Sequence, residues 1–472
     1  MATTQTSTIA MEMENIDRRK SEDAEAEEAN GSLGTRKRNS ENGVDLPYTS
    51  TNTTSIGENG NSNGHARSKK SFTKAQILIG RVQFTTLCWT LALAGWNDGT
   101  TGPLLPRIQE VYGVNFAVVS LIFIFNCIGF IGGAFSNIFL TNRLGFGKII
   151  VLGSLFQLSA SCIQAAAPPF PAFILGYFLN GFGGALQDAQ ANGFVATLSR
   201  NAEVKMGVIH AAYGIGAFAS PLAATHFAQQ KRWSFHFLLS LSIAAVNTIA
   251  LISVFRLKTQ DVCLHDAGEI IPEKSAENEK GLFGKVLKTK AVHFLAFFIL
   301  VYVGVEVTIG GWIVTYIIDV RGGGPSSGYI SSGFFGGLTM GRVVLLWVNK
   351  KVGERRVLFI YAILSIALEL VIWFVPSLVG NAIAVSIIGV LLGPMYPIAM
   401  NQASRILPRW ILTGSIGWIA GFGQAGSAIL PFITGAIAQN HGIKSLQPLL
   451  VAMMAVMTGL WAVVPNHPEK NE

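Results

Sequence analysis

Charge is scarce in this chain. Only 13% of its 472 residues are Asp, Glu, Lys or Arg, against about 25% in soluble domains. That composition excludes an ordinary water-soluble globule. Cysteine is scarcer still: Cys88, Cys127, Cys162 and Cys263 are the whole set. Their spacing fits neither a disulfide framework nor a zinc site, so they read as small packing residues. No Gly-rich loop ending in Gly-Lys-Ser/Thr is present, which excludes the phosphate cradle an ATP-driven machine needs. No His/Cys/acid run has metal-ligand spacing, and no nucleophile and base can be paired, so the chain is not expected to be an enzyme. The formal net charge is +8, without the concentrated basic face that a nucleic acid asks for.

Long apolar runs are what the chain has. Twelve lie at 79–104, 115–140, 148–167, 171–198, 206–227, 234–255, 291–318, 326–349, 356–376, 380–404, 411–438 and 446–465. A helix rising ~1.5 Å per residue needs about 20 apolar residues to cross a bilayer. The expected fold is therefore an all-α membrane protein, with twelve transmembrane helices in two pseudo-symmetric six-helix lobes. The 51 glycines suit close helix packing in a membrane. The expected domains are a disordered tail at 1–74, lobes at 75–256 and 291–466, a charged central loop at 257–290 and a short tail at 467–472. The first tail holds ten basic and eleven acidic residues and few large apolar ones, too few to bury a core. The first apolar run starts so late that a cleavable signal peptide is not expected.

Basic residues set the orientation. With the long tail inside, the inner loops carry seventeen Lys/Arg and the outer loops five: Arg107, Lys231, Arg232, Arg321 and Lys444. The positive-inside rule asks for this bias and places both termini in the cytosol. The halves also repeat. Gly129-Phe130-Ile131-Gly132-Gly133 recurs as Gly333-Phe334-Phe335-Gly336-Gly337, and each is followed by a basic loop containing glycine. Two like-oriented lobes place a solute site at mid-membrane between them.

On these residues the chain resembles the major facilitator superfamily over roughly residues 75–468. Asn142-Arg143-Leu144-Gly145-Phe146-Gly147-Lys148 is similar to its Asp-Arg-x-Gly loop, with Asn142 where the acid is usual. The resemblance implies gating roles for Arg143, Gly145 and Lys148. Within the superfamily it resembles the fucose–proton symporter branch. The matching stretches are Asn97-Asp98 with Leu104-Leu105-Pro106, Leu186-Gln187-Asp188-Ala189-Gln190-Ala191-Asn192, and Tyr302-Val303-Gly304-Val305-Glu306 with Trp312. The resemblance places Asp188 at a proton-binding position.

Acids inside the apolar runs are few: Asp98, Asp188, Glu306 and Glu369. A charge at mid-bilayer costs about 2.5–3.5 kcal/mol on insertion scales, so each needs a partner, a cavity or a proton. Asp188 lies 12 residues from Arg200, ~18 Å along a helix and near mid-membrane. Glu306 lies midway between Lys290 and Arg321. Asp98 falls further out, toward an outer vestibule. These three are the candidates for proton coupling, with static hydrogen bonds between helices as the plainer alternative. Glu369 is expected to be structural. Candidate solute ligands are Asn97, Gln187, Gln190, Asn192, His210, Tyr213, Trp312, Tyr316, Asn401, Gln402 and Gln424, since amides and hydroxyls both donate and accept. Trp96 and Trp418 are further candidates to stack on a sugar ring. Arg342, well inside its run, is read as part of a gate near Lys350 and Lys351.

The expected function is secondary transport of a small polar solute by alternating access, coupled to protons, with a hexose-like sugar favoured by resemblance. Export of amphipathic compounds and a transporter-like receptor are the alternatives. The expected partners are a small-molecule solute, protons and the lipid bilayer, with no cofactor and no nucleic acid. The chain is expected to work as a monomer, in the plasma membrane.

Overall fold

The computed structural model describes residues 73–269 and 282–466. The expected tail at 1–74 therefore lies almost wholly outside the described residues, as do Lys274, Lys280 and the segment 467–472. Among the described residues there are helices and turns and no strands.

Six long helices form the first lobe: α1 Lys74–Tyr112, α2 Phe116–Leu144, α3 Phe146–Ala165, α4 Phe170–Ala196, α5 Ala202–Ala228 and α6 His236–Phe255. Six form the second: α7 Lys290–Arg321, α8 Tyr329–Val344, α9 Glu354–Phe374, α10 Leu378–Ile406, α11 Arg409–His441 and α12 Leu446–Val463. Short helices Gln260–Asp266 and Leu282–Lys288 flank the undescribed middle of the central segment. Ten of the long helices are long and apolar enough to span a membrane; α8, which bends by 52° into Leu346–Val352, makes eleven. The remaining one, α4, has 27 residues. Its apolar run is diluted by Asn180, Gln187, Asp188, Gln190 and Asn192.

Local chemistry accounts for the ends. Thr73 caps α1 in a reciprocal box with Gln76, satisfying two otherwise orphaned donors. That carries the helix several residues before the expected start at 79. Its far end passes through Pro103 and Pro106 to Tyr112, because membrane helices tolerate proline where neighbours satisfy the freed carbonyls. Gly113, at φ 59°, closes it in the left-handed region that glycine favours.

The two lobes pack alike. Contacts α1–α5, α2–α4, α3–α4 and α3–α6 in the first are matched by α7–α11, α8–α10, α9–α10 and α9–α12 in the second. The repeated glycines explain the second pair in each set. A methyl at Gly129 or Gly133 would strike the α4 backbone at Phe178 or Phe182. A methyl at Gly337 or Gly341 would strike the α10 backbone at Ser386 or Val390.

Both described ends of the membrane part, α1's start and α12's end, lie on one face, here the terminal face. On the opposite, far face the lobes touch. Thr225 meets Gly328, Phe218 meets Gly336 and Thr339 meets Gly214 along α5–α8. Ser120 meets Gly435 along α2–α11, and the Cys127 thiol donates to the Gln424 carbonyl at 3.2 Å. Toward the terminal face the same seams part: Gly207, Gly417 and Gly421 have open space where a side chain would stand. The cleft between the lobes therefore opens on the terminal face.

Candidate functional site: a carboxylate cluster between the lobes

Where the seams part, six helices bring charge and phenols together. From the first lobe come Asp98 on α1, Asp188 on α4, and His210 and Tyr213 on α5; from the second come Tyr302 and Glu306 on α7, Arg342 on α8 and Tyr396 on α10. The Tyr213 hydroxyl donates to Asp98 Oδ2 at 2.6 Å. Asn192 Nδ2, one turn along α4, donates to Asp188 Oδ1 at 2.8 Å. Asp98 lies within electrostatic reach of both Glu306 and Asp188. Arg342 lies within reach of Glu306, Tyr302, Tyr213 and His210. Tyr396 senses Asp188, Arg342 and Glu306, and its ring centroid is 6.3 Å from that of Tyr302.

This differs from the sequence reading in two places. Asp98 does not stand apart in an outer vestibule: it shares the cluster with the other two acids. Arg342, in the last turn of α8, does not group with Lys350 and Lys351: it faces Glu306. The bend after α8 sends Lys350 and Lys351 off on Leu346–Val352. No carboxylate of the described residues comes within ion-pairing distance of Arg342, and its Nε has no hydrogen-bond partner. An incompletely paired guanidinium facing the Glu306 carboxyl is costly and therefore responsive to whatever enters.

The other candidate ligands divide. His210 is exposed on the cleft wall, and Gln424 is half-buried at the α2–α11 seam. Asn97 donates to Asn180 at 2.9 Å, joining α1 to α4. Gln187 accepts from Asn247 at 3.1 Å, and Asn247 in turn accepts from Thr90 at 2.8 Å. Gln190 donates to Asn137 at 2.7 Å and to Thr141 at 3.0 Å. These amides tie helices of the first lobe. Trp312 is fully buried, donates to the Pro431 carbonyl at 3.0 Å and packs on Phe116 and Phe123. Tyr316 is buried beneath Arg321. Trp96 stacks on His236 and donates to Ser240 at 2.9 Å. Trp418 packs against Phe422 and His293.

Asn401 and Gln402 lie away from the cluster, on the terminal face. Asn401 donates to Glu354 at 3.0 Å, and Arg405 pairs with the same carboxylate at 2.7 Å. Gln402 donates to the Pro465 carbonyl at 2.8 Å. The repeated loops are tied differently. In the second lobe Glu354 supplies the acid. In the first, Arg143 and Lys148 are exposed, Gly145 takes φ 77°, and the Gly147 amide donates to the Lys258 carbonyl at 2.9 Å. Glu369 is fully buried, with Oε1 lacking a hydrogen-bond partner. It senses Tyr316, at the far end of the second lobe.

Sequence reasoning missed Tyr396 and gave Tyr302 no role. Tyr302 stands one turn before Glu306, a spacing that places both on one helix face. Tyr396 follows Gly393-Pro394, where α10 breaks, and the Tyr302 hydroxyl donates to the Leu392 carbonyl at that break, 3.1 Å away. An acid one turn from a tyrosine and a proline break in an apolar run were the available signals.

Two six-helix lobes with the same internal packing, closed on one face and parted on the other around clustered charge, define a transmembrane solute carrier. The chain belongs to the Major Facilitator Superfamily: the sequence model of that family matches residues 87–409. It is a transporter, not an enzyme. It is 24% identical to Bypass of stop codon protein 6 of Saccharomyces cerevisiae over 427 residues, 84% of each chain. It is 22% identical to the glucose/mannose transporter GlcP of Bacillus subtilis, covering 76% of this chain and 89% of that one. Among solved structures, FucP in its outward conformation shares the fold at TM-score 0.58 and 17% identity, over 81% of this chain and 99% of that one. A bacterial homologue of the lysosomal transporter Spinster, inward-facing and unoccupied, does so at TM-score 0.68 and 10% identity, over 83% and 97%.

Proposed function

We propose that the chain carries a small polar solute, a hexose-like sugar, across the plasma membrane by alternating access, and that proton binding to Asp188, Asp98 and Glu306 drives the movement. The observation that carries this reading is the cluster itself, in which two acids of one lobe face an acid and a guanidinium of the other at the base of the cleft. A proton neutralises an acid and lets the lobes close around it; its loss restores a charge that Arg342 and the phenols compete to satisfy. The hydroxyls of Tyr213, Tyr302 and Tyr396 and the amides of Asn192 and Gln424 supply donors and acceptors for a polyol. Relatives named as glucose/mannose, glucose/galactose and fucose:proton carriers support the sugar. The basic terminal face supports cytosolic termini, so that the cleft as seen opens to the cytosol.

The test is transport by purified protein in liposomes with an inward acid gradient, recording internal pH as a panel of sugars is added. Sugar-dependent acidification is expected for the wild type and is expected to vanish in Asp188→Asn, with counterflow of the sugar retained. Folded protein that moves no protons with any sugar sinks the reading.

A further inference from the structure

On the far face the two lobes flank a second cavity, open to that face, of about 500 Å³. That size suits a small molecule. Both lobes build it: α1 and α5 on one side, α7 and the connection to α8 on the other. It lies around Arg107, nine residues beyond Asp98, or ~13 Å along α1, so it is distinct from the cluster. Pro106, Ala228, Ile318 and Pro325 give it an apolar floor. Its charged groups are Arg107, Glu110 and Asp319. Arg107 Nη1 donates to Glu110 Oε2 at 2.6 Å, so these two largely cancel. Gln229 Nε2 is committed to the carbonyls of Thr225, at 3.0 Å, and Pro325, at 3.3 Å.

Asp319 is left over. It is exposed to the cavity, and no described cation or hydrogen-bond donor reaches it. Arg321, two residues on, is held by the carbonyls of Ile372 and Trp373, each at 2.7 Å. The lining thus carries one positive and two negative groups, with the surplus charge on a carboxylate beside an apolar floor.

We propose that this cavity binds a small organic monocation, an ammonium group on a compact apolar body, entering from the far face. Asp319 takes the ammonium in a charge-assisted hydrogen bond, and Pro106, Ile318 and Pro325 pack against the body. A neutral polyol lacks the charge that Asp319 calls for, and an anion is repelled by it. Because the two lobes share the walls, the site exists in this form only while the far face is closed. A ligand that binds one of two states shifts the population toward it. The occupied cavity therefore holds the carrier with its cleft open on the terminal face and slows its return. This site depends on the fold and not on the sugar reading.

The full-length protein in phosphatidylcholine nanodiscs is titrated calorimetrically with benzylammonium chloride and with benzyl alcohol, its neutral counterpart. Hydrogen exchange is followed across Gly322–Gly328. Benzylammonium is expected to bind at one site and slow exchange in that connection. Asp319→Asn is expected to weaken binding about tenfold, the scale of a lost charged hydrogen bond. Asp319→Glu should keep it. Ile318→Trp, which fills the cavity and leaves the charge, should abolish it. Equal binding of the alcohol, or binding that survives both Asp319→Asn and Ile318→Trp, reports partition into the bilayer and overturns the proposal.

Discussion

Tyr213 is where the chemistry of the two lobes meets: its hydroxyl holds Asp98 of its own lobe while its ring lies within reach of Glu306 and Arg342 of the other. Tyr213→Phe removes a charge-assisted bond worth ~1.5–3 kcal/mol. Solute-driven proton flux is therefore expected to fall about tenfold or more, with the thermal unfolding midpoint lowered by a few degrees. Trp312 makes the opposite case. It is fully buried and bonded to Pro431, so Trp312→Ala is expected to cost about 3–5 kcal/mol of stability, visible as a lower unfolding midpoint in detergent. Trp312→Phe should leave solute KM where it was. Outside the membrane part, Cys263 of the short helix Gln260–Asp266 is buried, and that burial pushes its thiol up from 9.0 to about 11. The raised value means that its docking is fully stable below pH 9 and weakens as pH rises toward 11. Alkylation of Cys263 should therefore stay slow at neutral pH and accelerate over that window. The acids were legible in the sequence because membrane spans so rarely carry them. The amides were not sorted by it: Gln187 and Gln190 sit beside Asp188 in the chain, yet their bonds run to Asn247 and Asn137 on other helices.

At the scale of elements, the repeated glycine stripes decide how closely α2 approaches α4 and α8 approaches α10. Gly133→Leu or Gly341→Leu would drive a side chain into the Phe182 or Val390 carbonyl. Either should abolish the folded monomer peak in gel filtration, whereas Gly207→Leu, with open space around it, should not. The helices themselves were readable from apolar length alone, and every expected segment has its counterpart. The ends were not. Capping by Thr73 and passage through two prolines lengthen α1 to 39 residues, and the 52° bend after α8 carries no simple sequence mark. The glycine repeat announced the lobes, but not that Glu354 would anchor one repeated loop while the Lys258 carbonyl anchors the other.

For the molecule as a whole, access to the cleft is the first thing to check. A cysteine at Gly421 should react with a membrane-impermeant maleimide applied to the terminal face, and one at Gly435, against Ser120, should not. The parent protein with its four cysteines supplies the background. Charge is shared unequally between the lobes. The first lobe brings two carboxyls to the cleft, whereas the second brings one carboxyl and one guanidinium. When the acids are bare, the reorienting centre is a net anion; loaded with protons, it approaches neutrality. An electric field does work on the first and little on the second, about 2.3 kcal/mol per charge moved through 100 mV. Under the proposed proton coupling and cytosolic terminal face, an inside-negative potential speeds the empty carrier's return to the far side and leaves the loaded step nearly untouched. Net uptake should rise on imposing a potassium diffusion potential with valinomycin, while sugar exchange at equal concentrations should not respond. On this account the lopsided cluster makes the membrane voltage the spring that resets the carrier.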